Sequence, residues 1–96
     1  MTTEAYVEQL ERQHAEETAS VRELQQFWCH SFPGCEWIPL EKRFRFWVRT
    51  YGVRLMKHAI TVTATNAQPN WSVTRQGKYC SGVARNIHEQ AQRVAA

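Results

Sequence analysis

An all-α fold is predicted for this chain: a single small domain of about four helices, with a long N-terminal helix and a compact three-helix core. Three observations predict it. The stretch from Pro39 to Lys57 separates into an apolar side and a basic side when wound at 3.6 residues per turn. Residues 3–26 are rich in Glu, Gln, Ala and Arg and hold no Gly or Pro. No two stretches read convincingly as strands that could pair.

Ninety-six residues are enough for one modest core. At 43% hydrophobic and 11% aromatic the chain reads as globular rather than disordered. It divides into an acidic N-terminal helix or arm over residues 1–26 and a helical core domain over residues 27–96.

Thr3 is the expected N-cap of the first helix. Its apolar positions are Tyr6, Val7 and Leu10, then, beyond a polar gap through His14 and Glu17, Val21, Leu24, Phe27 and Trp28. The gap interrupts the heptads that a coiled coil needs, which leaves a long helix anchored at both ends or a separate short arm. Residues 29–39 are punctuation. Pro33-Gly34 signals a turn and Pro39 suits the first turn of the next helix, while Phe32, Trp37 and Ile38 are expected to fold back onto the core.

In the helix that follows, Phe44, Trp47, Val48, Tyr51 and Leu55 form the core stripe, and Lys42, Arg45 and Arg49 lie opposite with Phe46 among them. Its end is expected at Tyr51-Gly52, where glycine can take the left-handed conformation. Residues 53–65 carry a conflict. Ile60, Val62 and Ala64 alternate with Thr61, Thr63 and Thr65 as in a strand, whereas Met56, Ala59, Ile60 and Thr63 fit a helix. With no partner strand, helix is preferred. Residues 66–77 read as a loop. Lys78 to Val94 reads as the last helix, with Tyr79, Val83, Ile87, Ala91 and Val94 on its buried side.

The net charge of +3 conceals an asymmetry. Residues 1–26 hold six Glu against Arg12 and Arg22, a balance of −4. Residues 27–96 hold ten Lys and Arg against Glu36, Glu41 and Glu89, a balance of +7. A basic body favours nucleic acid or an acidic protein surface. Lys42, Arg45, Arg49 and Arg54, supported by Lys78 and Arg85, are the expected phosphate contacts, and Phe46 can stack on a base or pack on a partner. The acidic first helix offers a competing use for the same cations. Glu8, Glu11, Glu16 or Glu17 can lie across them, with Phe46 and the Tyr6/Leu10 cluster supplying the burial that exposed ion pairs lack. Residues 1–26 also offer a route to a dimer. Trp71, in a loop of small polar residues, is a candidate hot spot for a protein partner.

Other chemistry has little footing. Cys29 and Cys35 are too loosely spaced for a structural zinc pair, and no second pair follows, so no metal or cofactor is expected. There is no Gly-rich phosphate loop, no H-E-x-x-H and no G-x-S-x-G, and the chain contains no Asp. Cys80 and His88, eight residues apart on one helix, are separated by about 12 Å of rise. A binding protein is expected, not an enzyme. Three Cys, no signal-peptide pattern and no apolar run near the ~18 residues that span a membrane indicate a cytoplasmic protein with reduced, mostly buried thiols.

The order of features adds a family context. Pro39-Leu40-Glu41 leads an aromatic helix ending in Tyr51-Gly52, a helix carrying His58-Ala59-Ile60 follows, and Lys78-Tyr79 opens a last helix through Gly82-Val83 and Asn86. Over residues 27–88 this resembles the C-terminal helical domain of the DnaD-like primosome and phage replisome-organiser proteins. That domain carries a Tyr-x3-Ile-x3-Trp motif, matched here by Tyr79, Val83 and Ile87, the last an aliphatic in place of Trp. The resemblance implies a replication-initiation accessory domain, encoded by a phage or mobile element, that binds DNA and contacts replisome proteins. The family's usual winged-helix domain has no room before residue 27. The alternative function is a stand-alone protein-binding inhibitor or adaptor that docks on a host complex, nucleic-acid-handling complexes included.

Overall fold

Four helices build the computed structural model, which describes residues 2–34 and 40–95. They are α1 (Thr3–Ser31), α2 (Glu41–Tyr51), α3 (Val53–Asn66) and α4 (Val73–Ala95). The fold is all-α, a long N-terminal helix on a compact three-helix core, with no strand among the described residues.

The cap of α1 is Thr2 rather than Thr3: its Oγ1 accepts from the Ala5 N–H at 3.1 Å, and Glu4 in the first turn complements the helix dipole. The helix runs past residue 26 to Ser31, because nothing before Pro33 stops it. Pro33 excludes the α conformation at Phe32, which has φ −125° and ψ 75°. Phe32 folds onto the core as expected. The expectations for Cys35, Trp37, Ile38 and Pro39 fall outside the described residues.

The α2–α3 boundary falls at Tyr51-Gly52 as the sequence indicates. Gly52 has φ 82° and ψ 162°, a positive-φ extended conformation rather than the left-handed helical one, and only glycine adopts it without strain. Its N–H donates to the carbonyls of Trp47 and Val48, and its own carbonyl accepts from Met56. In α3 the β-branched threonines are accommodated by their hydroxyls. Thr61, Thr63 and Thr65 each donate Oγ1–H to the carbonyl four residues earlier, at 2.8–2.9 Å.

The last helix begins five residues earlier than expected. Ser72 caps it, accepting the Arg75 N–H at its Oγ at 3.1 Å. Gly77 sits inside α4 because the chain is crowded there: a Cβ at this position would lie 2.6 Å from Leu40 Cδ2. The buried row of α4 is Gln76, Gly77, Cys80 and Ala84, and the last three are small residues that let α4 approach α2 and α3 closely. Tyr79, Val83 and Ile87 flank this row, and Ala91 and Val94 are exposed, correcting the apolar stripe read from the sequence.

α1 packs on α2 and α3, α4 packs on the same two helices, and among the described residues α1 and α4 do not pack on each other. The core centres on Trp28, Phe44 and Trp47. Phe44 and Trp47 meet edge-to-face at 5.3 Å, and Trp28 meets Phe44 edge-to-face at 5.9 Å. Trp47 and Phe44 are fully buried, whereas Val48, Tyr51 and Leu55 complete the stripe from its partly buried edge. No helix among the described residues is long and apolar enough to cross a membrane.

Candidate nucleic-acid interface

The outward side of α2 divides between its two neighbours. Toward α1, Arg45 Nη1 lies 3.4 Å from Glu17 Oε1 and Arg49 Nε donates to Glu17 Oε2 at 2.9 Å. The hydrogen bond from Arg49, with Arg45 beside it, holds the Glu17 carboxyl below its ordinary value, and the same contact raises Arg49. The acidic helix therefore does take up part of the basic stripe, through one of the four acids named from sequence. The burial expected from Phe46, Tyr6 and Leu10 does not occur: these side chains are 57%, 54% and 45% exposed. Val21, Leu24 and Trp28, further along α1, make the apolar contact instead. Lys57 of α3 pairs with Glu23 at 2.6 Å and lies over the Phe27 ring at 5.6 Å.

Toward α4 the arrangement differs. Arg43 Nη1 and Trp47 Nε1 both donate to Ser81 Oγ, at 3.3 and 3.0 Å, and one turn further on the Tyr51 ring meets His88 at 5.4 Å. α2 and α4 therefore run side by side in the same direction. Lys78 and Arg85 lie three residues before and four after Ser81, on its row of α4. Lys42 and Phe46 lie one turn apart on the exposed side of α2, and the Phe46 ring stands edge-on to Tyr51 at 6.3 Å. Lys42, Lys78 and Arg85 are exposed and form no ion pair among the described residues.

The residues singled out from sequence thus separate into groups. Lys78 and Arg85 share the Ser81 row of α4, Phe46 is linked to that side through Tyr51, and Lys42 lies between Phe46 and Arg49 on the outward side of α2. Arg45 and Arg49 are engaged by Glu17, and Arg54 is exposed on the first turn of α3, outside the contacts joining α2 to α4. Trp71 is half-buried in a stack of its own, with the Arg75 guanidinium 4.6 Å from its ring centre and the Tyr79 ring at 5.2 Å. Sequence reasoning missed Ser81, whose bridging role depends on a contact between helices more than thirty residues apart, and Arg75, which it assigned to a loop.

The thiols correct another expectation. Cys29 is exposed, while Cys80 is buried and pushed up to about 12 by that burial. No group of His, Cys, Asp or Glu among the described residues is arranged to hold a metal ion. No family model matches the chain, and neither a curated protein nor a solved structure matches it significantly.

Proposed function

We propose that this protein is a non-enzymatic nucleic-acid-binding module whose contact surface is the α2–α4 face. Lys42, Lys78 and Arg85 meet phosphates, Arg43 supports them from its hydrogen bond to Ser81, and Phe46 stacks on a base. The observation that carries this reading is the exposed Phe46 ring on the side of α2 that bears Lys42, with Lys42, Lys78 and Arg85 forming no ion pair among the described residues, while Arg45 and Arg49 on the α1 side are already paired. Such a surface reads charge and base planes rather than sequence, so single strands are the better substrate. The resemblance to DnaD-like replication domains points the same way.

Fluorescence anisotropy with a labelled single-stranded oligonucleotide at about 50 mM salt tests it; binding of this kind has a Kd of roughly 1–100 μM. Replacing Lys42, Lys78 and Arg85 together by Glu abolishes the signal if the face is right, whereas Arg45→Ala leaves most of it. An unchanged anisotropy for the native protein at the highest concentration rejects the reading.

A second reading, a protein-binding adaptor or inhibitor, rests on the Trp71–Arg75–Tyr79 stack, whose aromatic and Arg composition is that of binding hot spots. Capture of a specific partner from nuclease-treated lysate, lost on Trp71→Ala, supports it. Equal capture by that variant removes the stack from consideration.

A further inference from the structure

The N-terminal half of α1 carries a face that the described residues of its own chain leave uncovered. Thr3, Val7, Leu10, His14, Glu17, Val21, Leu24 and Trp28 recur at alternating steps of four and three, which places them along one stripe of the helix. From Glu17 onward that stripe faces α2 and α3. Before Glu17 it runs into solvent: residues 3–16 are all exposed, Tyr6, Val7 and Leu10 included. At 1.5 Å per residue this arm projects about 20 Å.

We infer that the arm docks on the α2–α4 face of a second copy of this chain, the two copies exchanging arms. Charge selects this occupant. The arm holds Glu4, Glu8, Glu11 and Glu16 against Arg12, so two arms laid side by side repel. The α2–α4 face offers Lys42, Lys78 and Arg85, which form no ion pair among the described residues, and an exposed Phe46 to meet Val7 and Leu10. The same pairing is already made within the chain. Where the acids of α1 reach the body they find its cations, Glu17 with Arg45 and Arg49, and Glu23 with Lys57. A reciprocal exchange closes with twofold symmetry and leaves neither arm exposed. It uses the face assigned above to nucleic acid, yet it does not require nucleic acid to bind there. Where both hold, the dimer hides its own binding surface and nucleic acid competes with the arm.

Light scattering coupled to size exclusion, at about 100 μM protein and 50 mM salt, reads the outcome; salt weakens a contact of this charge. The native chain runs as a dimer. Glu8→Lys with Glu11→Lys makes arm and face both basic, and Lys42→Glu with Lys78→Glu makes both acidic, so each variant alone is a monomer with unchanged helicity. Mixed one to one they form a heterodimer, because each arm again meets a face of opposite sign. Val7→Ser with Leu10→Ser is a monomer without any change of charge. A monomeric native chain, a dimer that survives Lys42→Glu with Lys78→Glu, or a mixture that stays monomeric overturns the inference; the second result points to arm–arm pairing. Nucleic-acid binding is measured separately on Val7→Ser with Leu10→Ser, whose face is intact, so either claim can fail without the other.

Discussion

Trp47 and Phe46 are adjacent in sequence, about 100° apart around α2, one buried and the other mainly exposed, and truncating each separates the core from the face. Trp47 is fully buried, edge-to-face with Phe44 at 5.3 Å and 6.1 Å from Trp28, and it donates to Ser81 at 3.0 Å. Alanine removes the ring contacts and opens a cavity between α1, α2 and α4. Core truncations of this size cost about 3–5 kcal/mol. A chain of this length is worth about 5–14 kcal/mol in total, at roughly 0.05–0.15 kcal/mol per residue. With a urea m-value of about 1–2 kcal/mol per molar, a loss near 4 kcal/mol moves the midpoint down by about 2–4 M. Phe46→Ala removes a mainly exposed ring and its edge contact with Tyr51, a loss of under about 1 kcal/mol. Trp47→Phe falls between: it keeps an aromatic ring and loses the indole donor, while Arg43 still donates to Ser81. Urea unfolding followed by circular dichroism measures all three. A Trp47→Ala midpoint equal to that of the native chain, or a larger loss for Phe46→Ala, refutes the assignment of the two faces.

Gly52→Ala tests the α2–α3 joint. No atom lies within 4 Å of the added Cβ, so the cost is the backbone strain of a positive φ, about 1–3 kcal/mol, and an unchanged midpoint contradicts it. The Glu17 pair gives a pH dependence. Because the folded pKa lies below the ordinary 4.5, the stabilisation is complete above that pH and is lost as pH falls from 4.5 through the lowered folded value. Melting temperature should therefore drop more steeply below pH 4.5 in the native chain than in Glu17→Gln, and parallel profiles argue against the contact. Two of the three thiols, Cys29 and Cys80, differ in reactivity. At pH 8 iodoacetamide modifies Cys29 in the folded protein and Cys80 only after unfolding, as mass spectrometry reads; native labelling of Cys80 contradicts its burial.

Features decided by neighbours along the chain were legible in the sequence. The period of Phe44, Trp47 and Tyr51 identified the core side of α2, and Gly52 marked where it ends. The α3 helix was legible only by elimination, since the Thr61, Thr63 and Thr65 hydroxyls accept helical geometry by bonding within the turn. Features decided across the fold were not legible. Gly77 read as the end of a loop over residues 66–77 because Leu40, which packs where its side chain would be, lies far away in sequence. For the same reason bulky Tyr79 and Val94 were assigned to a buried row that small residues fill. At the candidate site the residue types were visible, but which cations Glu17 neutralises depends on how α1 crosses α2. Lys78 and Arg85 lie alongside α2 only because Ser81, on their row of α4, accepts from both Arg43 and Trp47.

The salt dependence of oligonucleotide binding tests the central claim most directly. Three phosphate-contacting cations, Lys42, Lys78 and Arg85, give a slope of log K against log salt near −2 on single strands, at about −0.7 per contact. The account predicts that slope for the native chain and a slope shallower by about 0.7 when any one of the three becomes Ala. A slope near zero, or one that moves with Arg45 and Arg49 but not with these three, contradicts the α2–α4 face as the binding surface.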